Sequence, residues 1–154
     1  MERRSAPRRC RERLLAAGDR SFACGGAAYL AEIAEAVGRH DEVAGFLAAA
    51  EELGEPEDIQ TQSRVLGLRA TVLARQGRHE EALSAADAAE APLAATESPG
   101  VLAQTLLERA TALRLAGRVA DADAAVRRAL DLYERKGNEP GAGRVRALLG
   151  APVA

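Results

Sequence analysis

Aromatic residues, lysine and cysteine are all scarce in this chain of 154 residues. Aromatic side chains make up 3% of it, and tryptophan is absent. Because Ala and Leu supply most of the apolar content, the sequence disfavours a β-sandwich and favours close packing of α-helices. Cys10 and Cys24 are too few for a disulfide scaffold, and no Cys-x-x-Cys spacing serves zinc or redox chemistry. We therefore predict an all-α protein from a reducing compartment.

Long apolar runs are missing as well. No stretch of about 18 apolar residues is present, because Glu32 and Glu35 interrupt the longest candidate. The basic start resembles the first part of a signal peptide, but the apolar run 14–17 ends at Gly18 before a hydrophobic core can form. We expect a cytoplasmic protein without a membrane segment.

Arginine is concentrated at the amino terminus, where residues 1–20 hold seven Arg against three acidic residues, although the whole chain has a formal charge of −2. The cluster consists of Arg3, Arg4, Arg8, Arg9, Arg11 and Arg13. Clustered arginine is able to contact phosphates, so a small nucleic-acid-associated regulator is the alternative function. No aromatic platform accompanies the cluster, and the rest of the chain is acidic, which makes nucleic acid the less favoured partner.

A six-residue segment that begins with Gly-Arg occurs three times. The copies are GRHDEV from Gly38, GRHEEA from Gly77 and GRVADA from Gly117, at intervals of 39 and 40 residues. Self-similarity at such a period is typical of helical repeat arrays, in which each unit buries its apolar face only against its neighbours. We predict that each Gly adopts the left-handed conformation that ends one helix, with acidic residues in the first turn of the next.

The positions around each Gly also repeat, and they predict the core. Small or apolar residues stand seven before Gly and five, nine and twelve after it, a spacing that places the last three on one helix face. These residues are Ala31, Ala70 and Ala110, then Val43, Ala82 and Ala122, then Leu47, Ala86 and Val126, then Ala50, Ala89 and Ala129. Gly- and Pro-containing breakers at 54–56, 98–100 and 137–140 separate the units.

These signals predict helices over residues 7–17, 22–37, 40–53, 58–76, 79–94, 100–116, 119–136 and 141–149. The predicted single domain, 1–154, comprises an orphan or capping helix at 1–20, repeats at 21–55, 56–98 and 99–139, and a short helix and tail at 140–154. Shifted by three periods, Gly137 superposes on Gly18, so the first helix corresponds to the second helix of a repeat. We expect either a carboxy-terminal fragment of a longer array or a chain whose first helix is a cap.

The pattern small-x-x-Leu-x-x-x-Gly-Arg-x-x-x-Ala, with Ala seven residues further on, resembles the tetratricopeptide repeat. Its period exceeds the about 34 residues usual in that family, and Ala27, Leu66 and Leu106 stand where the family has Trp. The longer, Ala-rich units look like the carboxy-terminal arrays of large bacterial cyclase/ATPase or STAND-type transcriptional regulators. The resemblance implies a right-handed superhelix of antiparallel helical hairpins.

The resemblance also implies a non-enzymatic protein–protein interaction module, serving as a regulatory or sensor arm in signalling or transcription. The first helices of such hairpins line a concave groove, which here would contain Glu32, Glu35, Arg64, Thr71, Arg75, Gln104, Thr111 and Arg114. Such a groove is acidic toward one end and basic toward the other, and it suits a peptide with acidic groups near the basic end. The other expected partners are the protein's own upstream domains and, through an uncovered apolar face, a second copy.

The candidate catalytic residues do not form a recognisable catalytic set in the sequence. The only lysine, Lys136, lacks the Gly-x-x-x-x-Gly-Lys loop of an ATPase. His40 and His79 follow Gly-Arg, and we interpret them as solvated turn residues rather than as metal ligands or a pH-sensitive pair. Cys10 occupies the place of Ala129, which favours a small buried residue over a nucleophile. The carboxylate pairs Glu51-Glu52, Glu80-Glu81 and Asp121/Asp123 are interpreted as solvated helix faces. We expect no enzyme activity, cofactor or metal site.

Overall fold

The computed structural model describes residues 20–150, together with the isolated positions 9, 12, 13, 16 and 18. Over these residues the protein is helical, and no strand is found in the described part of the chain. The helices are α1 (Arg20–Ala36), α2 (His40–Leu53), α3 (Ile59–Arg75), α4 (His79–Glu90), α5 (Pro99–Leu115), α6 (Val119–Arg135) and α7 (Glu139–Gly150). A 3-10 segment, Ala91–Ala95, follows α4. The all-helical prediction is confirmed for the described residues.

The predicted helix ends agree with α1–α7 to within two residues, except at the end of α4. There the predicted helix 79–94 stops being an α-helix at Glu90, and the 3-10 segment takes over. Pro92 accounts for the change, since proline lacks an N–H and clashes with the preceding helical turn. The predicted helix 7–17 lies largely outside the described residues, of which positions 9, 12, 13 and 16 are helical.

The three Gly-Arg segments form the same turn. Gly38, Gly77 and Gly117 have φ angles of 74°, 78° and 76°, in the left-handed region that favours glycine. In the first copy, Arg39 N–H donates to Ala34 O at 2.8 Å and the glycine N–H donates to the carbonyl of Glu35 at 3.1 Å. The same pair of bonds recurs in the other two copies. This is the Schellman arrangement, which satisfies carbonyls at a helix end, and it confirms the predicted role of the glycines.

The arginine of each segment has a shared role that the repeat did not reveal. Its side chain binds an acidic residue three positions on, at the start of the next helix. Arg78 reaches Glu81 at 2.5 Å and Arg118 reaches Asp121 at 2.7 Å, and Arg39 makes the equivalent pair with Glu42. The hydrogen bond from Arg78 lowers the pKa of Glu81. The repeated arginine therefore secures the first turn of the second helix in each hairpin.

The core lies between the two helices of each hairpin and between successive hairpins. Helices α1 and α2, α3 and α4, and α5 and α6 pack in pairs, while α3 contacts both α1 and α5, and α7 packs on α6. All twelve residues that the repeat predicts as core are at most 5% exposed. Because nine of the twelve are alanine, the paired helices approach closely. In the part of the chain that is described, no helix has both the length and the apolar character needed to cross a bilayer.

Candidate functional site

We number the hairpins in chain order: α1 and α2 form hairpin one, α3 and α4 hairpin two, and α5 and α6 hairpin three. Ion pairs join α1 and α3, the first helices of hairpins one and two. Arg64 Nη1 lies 3.2 Å from Glu32 Oε1, and Arg75 on the same helix pairs with Glu35. His40 Nδ1 lies 2.9 Å from the second oxygen of Glu35. Glu32 and Glu35, assigned by sequence to the acidic end of a groove, are thus partners of Arg64 and Arg75, assigned to its basic end. We name the surface of the three first helices, α1, α3 and α5, the first-helix face; the ion pairs lie on its α1 and α3 part.

The other predicted groove residues differ in their burial and in their hydrogen-bond partners. Thr71 is buried, and its hydroxyl donates to Gly67 O at 3.4 Å within its own helix, so it lies beneath the surface. Thr111 is half-buried and donates to Leu107 O at 3.1 Å. Arg114 turns toward α6, where it binds Asp123 at 3.1 Å. The hydroxyl groups of two of the eight predicted residues therefore donate hydrogen bonds to the backbone of their own helix.

Glu108 on α5 is a buried carboxylic acid that sequence reasoning missed. It is 5% exposed, and Gln104 donates to Oε1 at 3.4 Å whereas Oε2 has no hydrogen-bond partner. Burial raises the pKa of Glu108 well above its usual range, and the charge of Glu32 raises it further. Burial likewise raises the pKa of Glu32, against the opposing effect of Arg64. A buried carboxyl with a raised pKa therefore lies close enough to Glu32 and Arg64 of the first-helix face to be affected by their charges.

The position of the Glu108 carboxyl depends on a glycine of α3 that lies against it. A Cβ added at Gly67 would lie 1.9 Å from Glu108 Oε2 and 3.0 Å from its Cδ. Contacts this short do not occur, so only glycine leaves room for the acid in its present position. Glycine inside a helix is normally unfavourable by roughly 0.5–1 kcal/mol relative to alanine, and here the packing of Glu108 requires it.

Gly67→Ala is expected to destabilise the protein by about 1–3 kcal/mol, although alanine is the better helix former, because the buried carboxyl must move. In a Glu108→Ala background the same substitution should stabilise by roughly 0.5–1 kcal/mol, since the obstruction is gone. Urea unfolding of the wild type, both single variants and the double variant gives the coupling energy. A coupling energy of zero would show that the two residues do not compete for space.

An open cleft of about 380 Å³ lies on the opposite side of the molecule, among α2, α3 and α4. Leu47, Val72 and Leu73 supply an apolar surface there, and the Arg69–Glu51 pair, at 2.7 Å, stands at the same cleft. Its volume is at the lower end of the range for small-molecule sites, about 300–1,000 Å³. Arg78 and Glu81 also line the cleft and pair with each other at 2.5 Å, so its charged groups are engaged in two ion pairs beside the apolar surface.

The histidine and cysteine candidates lie at helix starts or in the core rather than in a reactive cluster. His40 and His79 begin the second helices rather than lying in the turns, and His79 is only half-exposed, with a buried Nδ1. Cys24 is buried, and its thiol donates to Ala50 O at 3.2 Å. Burial raises the pKa of the Cys24 thiol, and the charges of Asp58 and Glu55 raise it further. A raised pKa leaves less of the reactive thiolate at neutral pH, which favours a packing role for Cys24.

The remaining candidate residues are the paired carboxylates and the amino-terminal arginine cluster. Glu51, Glu81 and Asp123 each bind an arginine, as described above, rather than converging on a shared cation position. Over residues 20–150 and the few described positions before them, no group of three or more His, Cys, Asp or Glu side chains is arranged to hold a metal ion. Of the arginine cluster only Arg9 and Arg13 are among the described residues, and both are exposed. Cys10 and the rest of the cluster lie outside them.

No protein-family model, curated protein or solved structure matches this chain.

Proposed function

We propose that this chain is a non-enzymatic interaction module that binds a protein or peptide across its first-helix face. The observation that carries the proposal is the connected set of charged side chains on successive first helices, in which α3 supplies two arginines and α1 two carboxylates. Arrays of helical hairpins act mostly by presenting such extended surfaces. In this proposal the module is the regulatory or sensor arm of a cytoplasmic signalling or transcription-regulating system.

The proposal includes a tetratricopeptide-like, right-handed superhelix. Two features support it: the same Schellman turn closes every hairpin, and the first helix of hairpin two packs on the first helices of both its neighbours. Repetition of one hairpin geometry with one neighbour contact generates a regular curvature. The first helices then share one side of the array, and the second helices share the other.

The partner that suits this face carries acidic groups. Arg64 and Arg75 are about one-third exposed, so each can exchange its present carboxylate for one from a ligand. Glu32 and Glu35, the carboxylates that the arginines would leave, are only 14% and 20% exposed, so the ligand's contacts must offset the loss of these two ion pairs. Carboxylates from an extended or helical peptide would meet both arginines along α3, while Gln104 on α5 offers amide hydrogen bonds.

The test uses a peptide that is selected from a random display library for binding to the wild-type protein. The affinity of this peptide is then measured for variants of the protein with exchanged charges. Arg75→Glu should weaken binding of that peptide at least tenfold. The double variant Glu35→Arg with Arg75→Glu restores an ion pair between α1 and α3 but reverses its direction, so it should regain helicity and stability without regaining affinity. Arg146→Glu, on α7, is the matched control and should bind as the wild type does. Unchanged affinity in the charge-swapped protein would overturn the assignment of the first-helix face.

A further inference from the structure

The cleft among α2, α3 and α4 lies where one position of the repeat changes between hairpins. Ala44 on α2 and Leu83 on α4 each stand six residues after the glycine of their own hairpin turn. Leu83 is half-buried and packs on the apolar clusters that contain Ala112 and Leu113 of α5. Ala44 is exposed and lines the cleft, and its side chain is too short to make the equivalent contact with α3.

The apolar lining of the cleft is less covered than its counterpart in the next hairpin. Val72 and Leu73 stand five and four residues before the glycine of their turn, where α5 has Ala112 and Leu113. Ala112 and Leu113 are 0% and 2% exposed, whereas Val72 and Leu73 are half-buried. The cleft is therefore the counterpart, between hairpins one and two, of the place that Leu83 fills between hairpins two and three. The shorter residue of α2 leaves room there for an aliphatic group from a ligand.

Two ion pairs at the cleft determine which polar groups suit such a ligand. Arg69 contacts Oε1 of Glu51 through Nε and Nη2, at 2.8 and 2.7 Å, and Arg78 binds Glu81 through the same two nitrogens. Both arginines are about half exposed. A guanidinium carries further N–H donors on Nη1, and a carboxylate accepts through both oxygens, so each pair is able to add a partner. Because the lining holds two arginines and two glutamates, a ligand with one positive and one negative group complements it.

We propose that this cleft binds a small aliphatic zwitterion, such as a free branched-chain α-amino acid. The branched side chain of the ligand lies on Val72 and Leu73, in the space beside Ala44. Its carboxylate accepts hydrogen bonds from the arginines of the lining, and its ammonium group donates to Glu51.

The dimensions and place of the cleft bear on this assignment. A volume of about 380 Å³ is at the lower end of the range for small-molecule sites, which favours a free molecule over a helix of a partner protein. The cleft lies on the opposite side of the molecule from the first-helix face. The inference therefore does not rest on the proposed function, and either one is able to fail without the other.

Titration of the isotope-labelled full chain with free leucine, followed by backbone amide shifts, tests the proposal. Leucine should give saturable shifts centred on Leu47 and Leu73. Isocaproate, which lacks the ammonium group, and isoamylamine, which lacks the carboxylate, should each bind about tenfold more weakly. Free glycine, which lacks the aliphatic group, should not give saturable shifts. Absence of saturable shifts at the solubility limit of leucine, or equal binding of isocaproate, would overturn the proposal.

Two variants separate binding in the cleft from an effect on folding. Ala44→Leu places a leucine in the cleft at an exposed position, so it should keep the wild-type helicity while its affinity for leucine falls about tenfold or more. Ala88→Leu, at an exposed position of α4 outside the cleft, is the matched control and should bind as the wild type does. Glu51→Gln should weaken the binding of leucine more than that of isocaproate, because only leucine has an ammonium group. Full affinity in Ala44→Leu, or equal losses for the two ligands in Glu51→Gln, would contradict the proposal.

Discussion

Leu68→Ala is expected to lower the free energy of unfolding by about 2–5 kcal/mol. Leu68 is 1% exposed, and it lies in the apolar cluster through which α3 holds the hairpin of α1 and α2. Truncation removes buried apolar surface and leaves a cavity. The neighbours in this cluster are mainly alanine, whose short side chains have little freedom to fill the space. Urea unfolding followed by far-ultraviolet circular dichroism measures the loss.

Leu115→Ala is the matched control, because Leu115 ends a first helix but is 41% exposed. Its effect should stay within about 1 kcal/mol. Since each hairpin contacts only its neighbours, Leu68→Ala should also accelerate hydrogen exchange in α1 and α2 more than in α6 and α7. Equal losses of stability in the two variants, or a uniform rise in exchange, would contradict this account of the core.

The second large effect concerns pH. The free energy of unfolding should fall as the pH rises above about 4, the usual glutamate range. The pKa of Glu108 is raised in the folded protein by burial. Above the pKa of the unfolded state the folded protein still holds a proton that the unfolded chain has released. Each further pH unit then removes about 1.4 kcal/mol, until the folded carboxyl itself ionises.

Glu108→Gln should remove most of this fall, because the amide keeps the shape of the acid without titrating. A smaller slope of the same sign should remain, since burial also raises the pKa of Glu32. The variant should be more stable than the wild type at neutral and alkaline pH, and nearly equal to it near pH 4. Glu80→Gln, at an exposed position of α4, should keep the wild-type profile. Parallel profiles for Glu108→Gln and the wild type would contradict a raised pKa of Glu108 in the folded protein.

The turns and much of the core were predictable because they depend on local chemistry. A positive φ after a helix favours glycine, so the recurrence of Gly38, Gly77 and Gly117 identified the hairpin turns. The helical spacing of small residues around them then identified the buried faces. The end of α4 was missed because Pro92 was not weighed against the apolar residues beyond it, although proline is a readable signal.

The candidate site was less predictable because its contacts join residues far apart in the chain. Arg64 and Glu32 are 32 positions apart, and the sequence around either residue does not indicate that the two form an ion pair. Glu108 carries a signal only when the repeats are aligned, since it replaces the apolar residues Tyr29 and Leu68 of the preceding units. Whether such a position is buried depends on tertiary packing, which residue type alone does not determine.

Nuclear magnetic resonance can show whether the first-helix face binds a partner. Isotope-labelled protein would be titrated with the peptide selected on the wild type, and backbone amide shifts would be followed. Binding at the first-helix face predicts shifts concentrated on α1, α3 and α5, around Glu32, Arg64 and Gln104. Shifts confined to the cleft at Leu47 and Val72, or absent at saturating peptide, would contradict it.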